Sequence, residues 1–227
     1  DEQFTASIQN HQLPLSQSDI QFEDAYLDMQ GAIQLFDAQI KSRLLDIIAR
    51  ELKEKGLSFY TIGSSGHEGN AGIGHVLELK DMAFLHYRSG AFYIQRARQE
   101  DSVDGLNDCI LSLLASAQDP ISGGRHKVFG RKELNIPPQT STIASHLPKA
   151  LGLAVSLSRS KNAGFETDMA PDAISYVSFG DGSVNHASTQ TTLNACSWMA
   201  TQGIPLPIIF WCEDNGTAIS VPTPASW

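Results

Sequence analysis

Ile174-Ser175-Tyr176-Val177-Ser178-Phe179-Gly180-Asp181-Gly182 is the stretch on which the fold of this chain turns. A short apolar run closed by Gly-Asp-Gly predicts a buried strand and marks its end. Such a strand carries one carboxylate to the crevice at the C-terminal edge of a sheet, where open α/β folds bind ligands. The flanking glycines let the backbone approach a phosphate closely. A second apolar run, Leu206-Pro207-Ile208-Ile209-Phe210-Trp211-Cys212, leads into Glu213-Asp214-Asn215-Gly216 and brings an Asn carbonyl to the same edge. Residues 185 to 201 read as the helix that crosses between the two strands. Strand, helix, strand with a right-handed crossover predicts an α/β fold with a parallel sheet flanked by helices. Hard oxygens converging on a phosphate suit Mg²⁺, which takes few protein ligands and fills its shell from phosphates and water.

Upstream, residues 1 to about 18 read as an extended lead-in, with Ser18-Asp19-Ile20-Gln21 as a capping box. Met29, Ile33, Phe36, Ile40, Leu44, Ile47 and Ile48 recur at helical spacing, and Gly56 marks the stop. The expectation is a long amphipathic helix, broken near Gly31, whose apolar stripe packs into the core. Residues 1–55 thus form an N-terminal helical extension, and 56–227 the phosphate-binding domain. Gly63, Gly66, Gly69 and Gly72, with Gly74 close behind, predict tight packing around a helix start rather than direct ligand contact. Residues 104–118 and 142–160 read as helices. Gly123 to Pro138 reads as a loop of turn formers and donors, long enough to be functional. The chain opens at Asp1 without Met and stops just past the second motif, so both ends read as cuts.

Composition narrows the function classes. Hydrophobic content of 41% and charged content of 18% are globular values. A formal net charge of -9 argues against a nucleic-acid binder. Cys109, Cys196 and Cys212 lack C-x-x-C spacing, which points to reduced thiols in an intracellular setting. No apolar run approaches a membrane span. A P-loop NTPase would need Gly-x-x-x-x-Gly-Lys-Ser/Thr, and a dinucleotide fold a third glycine after Gly182; neither is present. A two-metal hydrolase would want more carboxylates or histidines near these strand ends.

Gly-Asp-Gly followed 34 residues later by Asn at a strand end resembles the thiamine diphosphate motif. Three further segments extend the likeness. Lys55 to Gly69, including Gly66-His67-Glu68-Gly69, is similar to a helix-to-loop segment of the E1 components of 2-oxoacid dehydrogenases. His86-Tyr87-Arg88-Ser89-Gly90 resembles their Tyr-Arg-x-x-Gly phosphate segment, and Thr140 to Pro148 the segment that cradles the aminopyrimidine. Asn215-Gly216-Thr217-Ala218-Ile219-Ser220 resembles Asn-Gly-Tyr-Ala-Ile-Ser. The likeness runs from about Gln34 to Pro224 and is nearest the branched-chain enzymes, in separate α-subunit or fused form.

The resemblance implies thiamine diphosphate and Mg²⁺ as cofactors, on the diphosphate-binding fold of that family. Asp181, the Asn215 side chain and the Thr217 carbonyl would hold the metal. Gly182 and Ser183 would turn backbone N–H groups to the diphosphate at the start of the crossover helix, with Tyr87 and Arg88 adding contacts. Ser141 and Ile143 would meet the aminopyrimidine, with His146 nearby. His126 is the candidate for proton transfer, since histidine titrates near neutrality. Phe59, Tyr60, Phe129 and Ile143 are candidates for an apolar acyl pocket, against ordinary core packing. His67 and His75 read as structural or exposed, and His86 as a weaker site candidate. Glu213 stands where relatives often carry a phosphate-binding Arg, leaving Arg88 or Arg125 to supply that charge. Asn185 and His186 replace a Ser-Glu pair.

The implied activity is decarboxylation of a 2-oxo acid, branched-chain foremost, with acyl transfer to a lipoyl carrier. Partners would be a pyrimidine-binding domain or β subunit and a lipoyl-bearing E2 transacylase, in a homo- or hetero-oligomer located in the cytoplasm or, in a eukaryote, the mitochondrial matrix. A pyruvate or acetoin dehydrogenase E1, another transketolase-like enzyme, and a non-catalytic cofactor-binding domain stay open.

Overall fold

The computed structural model of the chain describes residues 6, 7, 9–12, 27–59, 62–224 and 226. The capping box at 18–21 and Tyr60 lie outside them. Two compact units divide at Gln34 and Leu35. In the first, residues 6, 7 and 9 are helical rather than extended. That unit also holds the start of a long helix, α1 (Met29–Glu54), which runs unbroken past Gly31. Gly31 sits in its first turn, where its N–H donates to Asp28 Oδ1 at 2.6 Å. A glycine in the first turn is a capped position, not an interior break.

The second unit holds the rest of α1, which buries the face opposite to the one expected. Ala38, Ser42, Asp46 and Ala49 are buried, whereas Phe36, Ile40, Leu44 and Ile48 are between 39% and 61% exposed. Small side chains explain the choice, because they let neighbouring backbone come close. Asp46 accepts hydrogen bonds from Ser65 N–H at 2.8 Å and Ser65 Oγ at 2.9 Å. A Cβ on Gly63 would sit 2.6 Å from that carboxylate.

After a 3₁₀ turn (Glu68–Asn70) come α2 (Ala71–Val76), β1 (Met82–Phe84), α3 (Gly90–Arg96) and α4 (Gly105–Leu113). Asp104 caps α4 by accepting from Asn107 N–H. The helix ends before the expected residue 118, and Ala115 turns the chain at φ 49°. The stretch expected as a loop, 123–138, is not simply one. It contains an antiparallel pair, β2 (Phe129–Arg131) and β3 (Ile136–Gln139), into which Pro137-Pro138 fits as a sheet edge. Then follow α5 (Leu147–Ala163), β4 (Ser175–Gly180), a 3₁₀ turn (Asp181–Ser183), α6 (Ala187–Thr201), β5 (Ile208–Glu213), β6 (Thr217–Ala218) and β7 (Val221–Pro222).

The central sheet runs β1-β4-β5, parallel throughout. β1 joins the two predicted strands as a third, and its end feeds His86-Tyr87-Arg88 to the same edge. Every residue of β4 is buried, and its side chains alternate between two apolar layers. Tyr176 packs with α3, its ring stacked 5.5 Å from that of Phe92. Val177 and Phe179 pack with Leu147 and Ala150 of α5 on the other face. β5 is covered less than β4, since Ile209 and Trp211 are about 40% exposed. Ile208 and Phe210 pack against the α5 cluster on one face, while Ile209 and Trp211 lie on the opposite face, in register with Tyr176 and Ser178.

Candidate functional site

The C-terminal edge of the sheet opens into a cleft of about 390 Å³. Its walls come from four places in the chain: Ser65 and His67 after α1; His86, Tyr87 and Arg88 after β1; Gly180 to Ser183 after β4; and Asn215 with Thr217 to Ile219 after β5, with Ile143 at one side. Parallel strands explain the convergence, because every strand delivers its following loop to one edge.

Asp181 is buried at the end of β4, and the Thr223 hydroxyl donates to its Oδ2. Across the register, Gly180 pairs with Glu213, so the loops after β4 and β5 leave the sheet side by side, and Asp181 and Asn215 both line the cleft. Two successive side-chain turns shape the loop after β5. Asp214 Oδ1 accepts from Gly216 N–H and Asn215 Oδ1 from Thr217 N–H, both at 3.0 Å. Gly216, at φ 70°, permits that path. Gly182 answers to a neighbour rather than to backbone freedom: a Cβ there would lie 2.6 Å from Ala218 Cβ. The 181–183 turn is a separate 3₁₀ turn. The crossover helix begins later, at Ala187, capped by His186 Nδ1 accepting from Ser188 N–H. Gly182 and Ser183 therefore precede that helix instead of opening it.

Arg88 reaches the cleft wall with its guanidinium 5.2 Å from the Tyr87 ring centre, and Nη1 donates to Gly63 O at 2.5 Å. Arg125 is exposed in its loop and is not among the cleft-lining residues. His86 lies behind Tyr87, ring centres 4.1 Å apart. Burial, reinforced by His67, His146 and Arg88, pushes its pKa down to about 2, so the ring is neutral.

Two histidines of the sequence reading stand away from the cleft lining. His146 is buried beneath β4 and donates Nε2–H to Ser178 O at 2.6 Å, and burial lowers its pKa. His126 lies on the loop before β2, with Nδ1 2.9 Å from Leu113 O and its ring at the edge of Phe59. Ser141 also lies outside the lining, while Ile143 is within it. Of the acyl-pocket candidates, Phe129 is core, packed on Tyr93, and Phe59 is 74% exposed.

His67 is the residue that sequence reasoning undervalued. It is 6% exposed, lines the cleft, and pairs through Nδ1 with Glu213 Oε2 at 2.6 Å. Asn70 Nδ2 adds a 3.3 Å contact to the same oxygen. The sequence signal was available in Gly66-His67-Glu68-Gly69, a polar core within a glycine run that otherwise serves packing. Gly74 is the clear packing case, with a Cβ there only 2.7 Å from Phe92 O.

A model of the family described as "Dehydrogenase E1 component" matches residues 37–226. The chain belongs to the dehydrogenase E1 component family. Among its relatives, the mitochondrial 2-oxoisovalerate dehydrogenase subunit alpha of Caenorhabditis elegans is 29% identical over 205 residues, covering 88% of this chain and 43% of the relative. The 2-oxoisovalerate dehydrogenase subunit alpha of Bacillus subtilis is 27% identical over 197 residues, covering 85% and 54%. An Arabidopsis thaliana homologue, mitochondrial subunit alpha 2, is 29% identical over 194 residues, covering 85% and 37%. The chain thus spans about half the length of the relatives it matches, or less. Family membership accords with the parallel sheet and its flanking helices. Among the described residues, no helix is long and apolar enough to cross a membrane.

Proposed function

We propose that this chain is the diphosphate-binding part of the E1 component of a 2-oxoacid dehydrogenase complex, using thiamine diphosphate and Mg²⁺. One observation carries the reading: Asp181, Asn215 and Thr217 share a single cleft with Tyr87, Arg88, Gly182 and Ser183. The donor set fits the group. A carboxylate, an amide oxygen and a backbone carbonyl are hard oxygen ligands, suited to Mg²⁺ and ill suited to softer metals. Arg88 brings a fixed positive charge to the same wall, and the close approach of Gly182 to Ala218 keeps the backbone near the cavity. In this reading Asp181 and the Asn215 and Thr217 oxygens hold the metal. Tyr87, Arg88 and the Gly182–Ser183 backbone bind the diphosphate. Ile143 borders the ring, and Ser141 and His146 support that segment from outside the lining. When bound, thiamine diphosphate supplies the electron sink for loss of CO₂ from a 2-oxo acid. His126 remains the proposed proton-transfer residue, acting from the 123–128 loop.

A pyrimidine-binding domain or β subunit, and a lipoyl-bearing transacylase, complete this proposal. Its support is apolar surface: Phe36, Ile40, Leu44 and Ile48 on α1, and Ile209 and Trp211 on β5, are exposed. Contiguous exposed apolar side chains mark association surfaces. A cytoplasmic location, or the mitochondrial matrix in a eukaryote, goes with the reading, since the nematode relative is a mitochondrial protein by name. The substrate is proposed as a branched 2-oxo acid from the names of the relatives. Dye-linked decarboxylation by the full-length protein with its partner tests it. Turnover of 2-oxoisovalerate well above that of pyruvate or 2-oxoglutarate is expected, and a preference for pyruvate would move the assignment to a pyruvate-type E1.

A further inference from the structure

We propose that His67, held by Glu213, is a positioning residue that fixes the Asn215 amide for metal coordination. The inference rests on the thiamine diphosphate reading above and deepens it at one ligand. Its basis is a chain of three side chains with a single consistent arrangement of protons. Asn215 Oδ1 accepts the Thr217 N–H at 3.0 Å, so the other end of the amide, Nδ2, is the donor that faces His67 Nε2 at 3.2 Å. An amide NH₂ only donates, so Nε2 is the acceptor and the ring proton sits on Nδ1. That proton is donated to Glu213 Oε2 at 2.6 Å. Glu213 is steadied in turn by Asn70 Nδ2, which also holds Phe92 N–H through its Oδ1 at 2.8 Å.

Asn215 is therefore pinned at both ends, with the remaining lone pair of Oδ1 available to the cleft. A carboxylate fixing the tautomer of a histidine that aligns a metal ligand is outer-shell organisation of the kind that tunes metal affinity. The arrangement also explains Glu213. Its side chain is 8% exposed and engaged by His67, so it serves a purpose other than that of a phosphate-binding arginine.

His67, His86 and Glu213 bring nitrogen and oxygen atoms within 4.8 Å of one another, the makings of a separate transition-metal site. The 2.6 Å separation of His67 Nδ1 and Glu213 Oε2 argues for a shared proton instead. An ion bound at ~2.0–2.2 Å to both would hold those atoms roughly 3 Å or more apart.

The test titrates Mg²⁺ into the full-length apo protein with its partner, at saturating thiamine diphosphate, following cofactor binding by calorimetry. His67→Phe removes the acceptor and is expected to raise half-saturating Mg²⁺ by ~10–100-fold. Glu213→Ala should give a smaller rise. His67→Gln, whose Oε1 can accept from Asn215, should recover most of the loss. Cofactor affinity at saturating Mg²⁺ should stay close to wild type, which a merely structural defect would not permit. Wild-type Mg²⁺ curves in both His67→Phe and Glu213→Ala would overturn the inference while leaving the cofactor reading intact. Cofactor affinity lowered equally at every Mg²⁺ concentration would also overturn it, as would stoichiometric zinc bound through His67. A wild-type protein that binds no thiamine diphosphate with Mg²⁺ would instead sink the cofactor reading itself.

Discussion

Glu213 and His67 stand 146 residues apart in the chain and meet at 2.6 Å beneath the cleft. The contact ties the end of β5 to the segment after α1, and it is almost wholly covered. Glu213→Ala leaves a buried imidazole N–H without its acceptor, which costs about 1–3 kcal/mol. Equilibrium denaturation of the apo protein measures it. A loss below ~0.5 kcal/mol, the usual range for surface changes, would show that the pair does not tie these segments together.

Gly182 and Ala218 make a second joint. A Cβ at 182 would lie 2.6 Å from Ala218 Cβ and 3.0 Å from its Cα. Gly182→Ala must push β6 away, carrying Thr217 with it, at a cost of about 1–3 kcal/mol. Ala218→Gly should restore part of the stability in the double variant. Strictly additive losses would mean that the two positions do not compete for the same space.

Acid should loosen the protein earlier than carboxylate protonation alone would. His86 is held neutral down to about pH 2 and the His146 pKa is also lowered, both chiefly by burial. The unfolded chain protonates both near pH 6.5. The stability they contribute is therefore present above that pH and is lost as pH falls toward the folded values. Between pH 6.5 and 5.5 the loss from His86 is about 1 kcal/mol, and His146 adds to it in the same direction. His86→Phe should remove the His86 contribution to that slope in melting temperature, and an unchanged slope would contradict it.

The exposed stripe of α1 predicts an asymmetry. Leu44→Lys should change the stability of the isolated chain by less than about 0.5 kcal/mol, whereas Ala38→Leu, at a position with 0% exposure, should cost about 1–3 kcal/mol. Substituting the stripe should weaken association in the assembled protein, read by sedimentation. Strong destabilisation of the isolated chain by Leu44→Lys would return the stripe to the core.

These contrasts show what the sequence could carry. Strand ends are legible because β4 and its Gly-Asp-Gly are local, and β4 is buried on both faces, so its apolar run has no competing period. β1 was missed because three residues are too few for any period to register. α1 was read inside out: hydrophobicity marks a face that wants cover, yet the cover need not come from the same chain. Pro137-Pro138 reads as a loop until Gly130 is seen against Pro138, where a Cβ would come within 2.9 Å. At the site, Asp181 and Asn215 were legible because each follows an apolar run that reads as a strand, whereas Tyr87 and Arg88 were legible only through the likeness of their segment to Tyr-Arg-x-x-Gly. His67 was not, because its meaning comes from Glu213 and Asn215, which only the folded chain brings near. The position of His126 depends on how the 123–128 loop closes on α4, which local sequence does not determine.

The central claim is that Asp181 and Asn215 hold thiamine diphosphate through Mg²⁺, and thermal unfolding of the full-length protein with its partner addresses it most directly. Thiamine diphosphate with Mg²⁺ together should raise the melting temperature of the wild type by several degrees, as ~100-fold excess ligand over Kd adds about 2.7 kcal/mol. Either component alone should do far less, and Asp181→Ala should abolish the rise while leaving the apo protein folded. A wild-type protein indifferent to the pair, or an Asp181→Ala variant that responds as the wild type does, would contradict the account.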